Sequence, residues 1–311
     1  MTMIAADKPQ YASTERRFLA SGWLILSSLV FVHPLSAFVR LSLSDADASH
    51  LIIIPFITLW LLFVERRKIF ADVSYDTTLG GAVLFTAICA GLVTRFAIDP
   101  SQPDVQLSGY VLSLVLLWVA GFAFFFGKSA WRAASFPLLF LFLMVPWPAF
   151  LLDRVIYALQ AGSAWITKVL FNVMGIPVLR EGFVFHLSRV TIEVAKECSG
   201  IRSSIAVLVV ALLVVHLWLK QLWTKAVFIG SALFIMILKN GIRIATLTVL
   251  AMYVDPSFLT GSLHRQGGVV FFAIGLLILL PVLQLLRHTE ESLTAKSHML
   301  GKQSAGEIPS V

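Results

Sequence analysis

Of the 311 residues only two are cysteines, and one stands where a thiol could react. Cys198 lies in EVAKECSGIRSS (193–204), between Glu197 and Ser199-Gly200, with Arg202 a helical turn further on and a long apolar run, IAVLVVALLVVHLWL, beyond. The run reads as a helix, so the cysteine falls at a helix start. Free N–H groups and the positive end of the helix dipole lower a thiol pKa there and favour thiolate, while Glu197 pulls the other way. Ser199-Gly200 makes a small, sharp entry whose backbone N–H groups could reach an oxyanion. The plainer reading is a structural cysteine, and the local sequence allows both. Cys89, in TAICAGL, reads as a small buried hydrophobe.

A cysteine nucleophile needs a base and a partner for developing charge. His264, in GSLHRQGG, and Arg243, in LKNGIRIATLTVL, supply those types. A charged residue inside a span is costly unless solvated or paired, which marks Arg243 as a functional candidate. Asn240-Gly241 just before it could loosen the helix. The alternative is an arginine that snorkels or pairs with Asp255 or Glu197. His186, in FVFHL ahead of Cys198, competes with His264 as the base; His33 and His216 lie within apolar runs, and His50 is a weaker rival. Zinc held by Cys198, His186, His264 and a carboxylate is conceivable, but no CxxC or HExxH supports it. No metal or other cofactor is expected.

The elements that must position these residues are membrane spans. The chain is 58% hydrophobic and 13% charged, against roughly 25% charge in soluble domains. Its net charge of +7 fits positive-inside loops and anionic lipid better than nucleic acid, since no basic–aromatic soluble module is present. Apolar runs of spanning length fall at 22–39, 49–64, 79–98, 105–126, 134–152, 201–219, 223–254 and 267–286. The fold class expected is an all-α polytopic membrane protein with about eight transmembrane helices. Residues 1–286 read as one transmembrane domain and 287–311 as a polar, flexible cytoplasmic tail. With the N-terminus inside, alternate loops carry Arg66-Arg67-Lys68, Lys128 and Arg132, Lys220 and Lys225, then Arg287. The opposite loops carry Asp45 and Asp47, Asp99 and Asp104, Asp153, then Asp255. Both termini are then cytoplasmic, and Cys198, the outer part of the Arg243 span and His264 share the extracytoplasmic side. The count requires 154–175, with its interleaved Gln160, Ser163, Thr167, Lys168 and Asn172, to lie in the interface or at a bundle edge rather than cross.

Residues 176–197 break the helical pattern. FVFHL and VTIEV flank Ser188-Arg189. A two-residue hairpin sets Leu187 against Val190, Phe185 against Ile192 and Phe183 against Val194. All six share one face, with Val184, His186, Thr191 and Glu193 on the other. Such an extracytoplasmic hairpin could be a surface ribbon, a lid that positions Cys198 and a substrate strand, or both.

Taken together, LREGFVFHLSRVTIEVAKECSGIRSS, LKNGIRIATLTVLA and SLHRQGGVVFF resemble the exosortase/archaeosortase family of integral membrane cysteine transpeptidases. The match is close over the C-terminal half and general elsewhere. The resemblance implies that Cys198 is the nucleophile and that Arg243 and His264 complete the site, with Glu197, Ser199, Gly200, Arg202, Asn240 and His186 in supporting or substrate-contacting places. It implies an inner-membrane enzyme acting on secreted proteins that end in a short Pro-Glu-Pro-like motif, a transmembrane helix and a basic cluster. Close bacterial relatives in this family often carry Asp before the histidine, where this chain has Leu263. Two other classes fit the composition: a polytopic transporter or flippase, and a non-enzymatic component of an exopolysaccharide export system.

Overall fold

The computed structural model describes residues 14–45, 47–196, 200–259 and 262–306, with the backbone alone at 262–269, 294 and 296–306. The chain divides into two compact units, with the boundary in sequence between Leu152 and Asp153.

The first unit contains α1 (Thr14–Val30), α2 (Val32–Ser44), α3 (Ile54–Val64), α4 (Arg66–Ile69), α5 (Thr77–Phe96), α6 (Pro103–Ala133) and α7 (Ser135–Leu141). The first apolar run is not one helix: α1 and α2 meet at 79°. Pro34 falls in the first turn of α2, where its missing N–H breaks no helical bond. The indole of Trp23 donates to the Leu117 carbonyl at 2.8 Å, tying α1 to α6. A Cβ on Gly80 would stand 2.6 Å from that of Phe124, so α5 and α6 approach closely at a small residue, as membrane helices do.

The run expected to span 134–152 is broken at VPWP. Val145 is extended, with ψ 119°, as a residue before proline prefers. The next helix, α8 (Ala149–Val173), leaves at 97°. Its first N–H, on Ala149, is capped by Asp104 Oδ2 at 2.9 Å.

The second unit holds the rest of α8, a three-stranded sheet, α9 (Ile201–Trp218), α10 (Leu222–Tyr253) and α11 (Ser262–Gly306). α11 does not end at Leu286 but continues as helix through the polar segment. There Arg287 and Glu291 approach to 3.9 Å, a spacing that supports a helix. The buried Glu290 accepts from the Gln221 N–H at 2.8 Å, from the Lys220 N–H and from the Thr224 hydroxyl. This extension therefore closes the α9–α10 turn.

Among the described residues five helices are long and apolar enough to cross a membrane: α5, α6, α9, α10 and residues 270–293 of α11. The two bent pairs, α1 with α2 and α7 with α8, raise the number to seven, and Leu51–Val64 is a shorter apolar segment. Of the eight expected runs, five coincide with these helices, two fall in bent pairs and one is the short segment, so length and composition give five to seven spans where about eight are expected. The outward faces carry Phe96, Val173 and Leu222, among many exposed apolar side chains, as lipid requires. This is an all-α polytopic membrane fold with one small sheet.

The sheet has the expected hairpin at its heart. Strand β2 (Val184–Leu187) pairs antiparallel with β3 (Thr191–Glu193), Phe185 opposite Ile192 and His186 opposite Thr191. Backbone bonds from Leu187 to Val190 and from Val194 to Phe183, each 3.0 Å, extend the register as the alternation predicts. A further strand, β1 (Val178–Glu181), joins the other side of β2, and Gly182 at φ 60° makes the turn between them. Phe185, Ile192 and Val194 are buried with Phe171 and Ala164 of α8 and Ala245 of α10, and the Phe185 and Phe171 rings meet edge-on at 5.9 Å.

Phe185→Ala is expected to cost about 3–5 kcal/mol, the usual range for a fully buried phenylalanine. Leu179→Ala, on an exposed position of β1, should change little. Thermal unfolding of both variants in one detergent checks this, and equal midpoints would mean the sheet is not anchored through Phe185.

Candidate functional site

The site is built on contacts between α8 and α10. Gln160, Ser163 and Thr167 recur at the spacing of one helical face, and all three are buried. The polar stripe of α8 is therefore its packed face, while Tyr157 and Trp165 point outward. Asn240 Nδ2 donates to Ser163 Oγ at 3.0 Å. Thr167 Oγ1 donates to the Ser163 carbonyl at 2.8 Å and lies 3.3 Å from that of Gly241. Glycine is needed at 241, because a Cβ there would lie 2.6 Å from that of Ile166. Without water to compete, such polar groups find one another across helices.

The same network holds both ends of the thiol segment. Upstream, Gln160 Nε2 donates to the Val194 carbonyl at 2.8 Å, and Lys196 Nζ reaches Asp153 at 2.8 Å. Downstream, Gly200 caps α9 in the left-handed region at φ 73°, a conformation that favours glycine. Its carbonyl accepts from the Ser204 N–H at 2.9 Å and the Ser203 hydroxyl at 3.0 Å. A Cβ on Gly200 would sit 3.0 Å from Asn240 Oδ1. Glu197, Cys198 and Ser199 lie outside the described residues. Arg202 is exposed on the first turn of α9.

Arg243 lies half-buried on α10 and lines a cleft with Ile192 and Glu193 of β3, Ile244, Leu247 and Thr248 of α10, and Leu259. Asp255, a partner considered for it, is engaged locally. The Ser257 N–H donates to its carboxylate at 2.7 Å and holds its pKa below the usual carboxylate value. His264 is in the first turn of α11, and its side chain is outside the described residues. His186 is exposed on the outer face of the sheet, 3.3 Å from Thr191 Oγ1 and 3.7 Å from Glu181. His50 is tied to the Asp47 carbonyl at 3.0 Å in the other unit. The structure thus brings together Asn240, Gly200 and the helix start of α9, and sets Arg243 in a cleft against β3.

Sequence reasoning passed over Lys239. It precedes Arg243 by one turn of α10 and is 4% exposed. Its ammonium donates to Ser203 Oγ at 2.5 Å, and its stem runs past Gly275 of α11, where a Cβ would be 3.4 Å from Lys239 Cδ. The rule that singled out Arg243, a charge within an apolar span, marks Lys239 as well. From the sequence, Gln160, Ser163 and Thr167 mark an interfacial or bundle-edge helix; their common face is the signal that they pack inward.

With this geometry in view, comparison with known proteins gives a family. The model of the transmembrane exosortases matches residues 41–281, most of the chain, which therefore belongs to that family. No curated protein and no solved structure matches it.

Gly200→Ala is expected to destabilise by about 1–2 kcal/mol through the left-handed backbone alone, with the Asn240 contact adding to it. Adding Asn240→Ala should relieve the contact but not the backbone cost. Unfolding midpoints of the single and double variants measure the two parts; a Gly200→Ala protein as stable as the original would contradict the assignment.

Proposed function

We propose that this chain is a membrane cysteine transpeptidase that cleaves the C-terminal sorting signal of secreted proteins and passes them to an acceptor. Family membership supports the class. The observation that carries the reading to this chain is the cleft beside β3, where Arg243 stands on a helix whose Asn240 also lies against Gly200, two residues after Cys198. The substrate class carries over from the resemblance: a Pro-Glu-Pro-like motif, a transmembrane helix and a basic cluster. Lipid surrounds the enzyme, nucleic acid plays no part, and no metal or organic cofactor enters the scheme. The lysine and arginine distribution favours cytoplasmic termini in the inner membrane and a site on the extracytoplasmic face.

In the proposed reaction the Cys198 thiolate attacks the scissile carbonyl carbon. Arg243 donates hydrogen bonds to the oxyanion that develops. The carbon–nitrogen bond breaks, and His264 in its protonated form gives a proton to the departing amine. A thioester joins the substrate's N-terminal portion to Cys198. The acceptor nucleophile then attacks this thioester, loses its proton to His264 and releases the thiolate. Water in the acceptor's place would give simple hydrolysis.

Co-expression with a secreted reporter bearing such a signal, followed by gel shift, tests these roles. Cys198→Ala should abolish processing. Arg243→Ala should slow it by about 10²–10³, the typical cost of losing one oxyanion donor, without loss of folded protein. Wild-type processing by Cys198→Ala would remove the nucleophile assignment. For orientation, a membrane-impermeant thiol reagent is expected to label Cys198 in spheroplasts. Labelling only after the membrane is breached would reverse the topology.

A further inference from the structure

The strand order β1-β2-β3 leaves β3 at an edge of the sheet. Val190 and Val194 bond to Leu187 and Phe183 on the β2 side. By the alternation of an antiparallel ladder, Ile192 faces β2 as well, and the N–H and C=O groups of Thr191 and Glu193 point away from it. Among the described residues no backbone group meets them. An open edge of this kind is a template for another strand.

The space beside that edge is the cleft that Arg243 lines, a small hollow of about 40 Å³. Ile192, Ile244, Leu247 and Leu259 make its walls largely apolar, and Glu193 sits at its rim. Acyl chains can occupy apolar walls, but they offer nothing to the edge donors and acceptors. An extended polypeptide satisfies both, with main-chain groups toward β3 and alternate side chains toward the walls. Glu193 and Cys198 are five positions apart, so any path between them spans at most about 18 Å.

We propose that the substrate polypeptide docks as a fourth strand on the free edge of β3, bonded to the main chain of Thr191 and Glu193, with side chains set on Ile244, Leu247 and Leu259. This rests on the peptide-cleaving reading above and adds the mode of recognition. Specificity then has two parts: main-chain pairing that any extended segment can make, and a preference for apolar residues at every second position.

Disulfide cross-linking tests it without relying on turnover. In a Cys89→Ala, Cys198→Ala background, Thr191→Cys or Glu193→Cys is co-expressed with the reporter carrying single cysteines along its motif. Strand docking predicts cross-links that peak at every second reporter position. Unphased cross-links, or none, would overturn the proposal, and cross-links between two copies of the enzyme would reassign the edge to self-association. Thr191→Pro and Glu193→Pro remove outward N–H groups while sparing the β2 ladder, as edge strands allow. Each should lower processing by the cysteine-containing enzyme at least tenfold, whereas unchanged processing by both would overturn the proposal. Should a proline variant misfold, the cross-link phase still decides. The two readings also fail separately: phased cross-links with undiminished cleavage by Cys198→Ala would keep the docking and discard the thiol chemistry.

Discussion

Polar side chains buried between membrane helices must satisfy one another, and that constraint organises the second unit of this protein. Ser163 and Asn240 meet across α8 and α10, and Gly241 lets the helices come close enough for them to do so. Lipid offers no competing partner, so the contact sets both rotation and depth of the two helices. The remaining site features follow from it. Gln160, on the same face of α8, holds the strand that enters the thiol segment. Asn240, on the same turn of α10, lies against the glycine through which the chain leaves it.

The cost of this arrangement is concentrated on α10. Lys239 and Arg243 place two cations one turn apart in a span, a combination that a helix chosen for stability alone would avoid. Lys239 is spent on Ser203, whose hydroxyl in turn supports the Gly200 carbonyl. Arg243 faces a cleft rather than a packed core. One cation thus braces the helix start, and the other lines the cleft beside β3. The sheet has a matching division: Phe185, Ile192 and Val194 anchor it, while His186, Thr191 and Glu193 stay on the exposed side.

Much of this was legible in the residues, because membrane length and strand alternation are strong signals. The register of Phe185 with Ile192 follows from period-two patterning, and the α9 and α10 boundaries follow from apolar length. The third strand was not legible: VLRE is short, follows Pro177 and carries two charges, so its pairing depends on β2 being there already. The breaks at Phe31 and at Pro146-Trp147-Pro148 lie inside apolar runs, and apolarity continues through a bend that the backbone cannot follow as one helix. The polar residues of α8 leave two placements open, the interface plane or a packed bundle edge, and the second fits the burial of Gln160, Ser163 and Thr167, because α10 and the sheet offer them partners. The helical course of α11 past Arg287 depends on Glu290 finding the α9–α10 turn, a contact between distant parts of the chain.

The central claim is covalent: the proposed role of the Cys198 sulfur is to carry the substrate between cleavage and transfer. Intact and peptide-level mass spectrometry of enzyme isolated during turnover, with a His264→Ala variant used to slow resolution, measures it directly. The account predicts a hydroxylamine-labile adduct on the peptide containing Cys198, with the mass of the substrate's N-terminal portion. Cleavage that proceeds while Cys198 stays unmodified, or an adduct on another side chain, would contradict it.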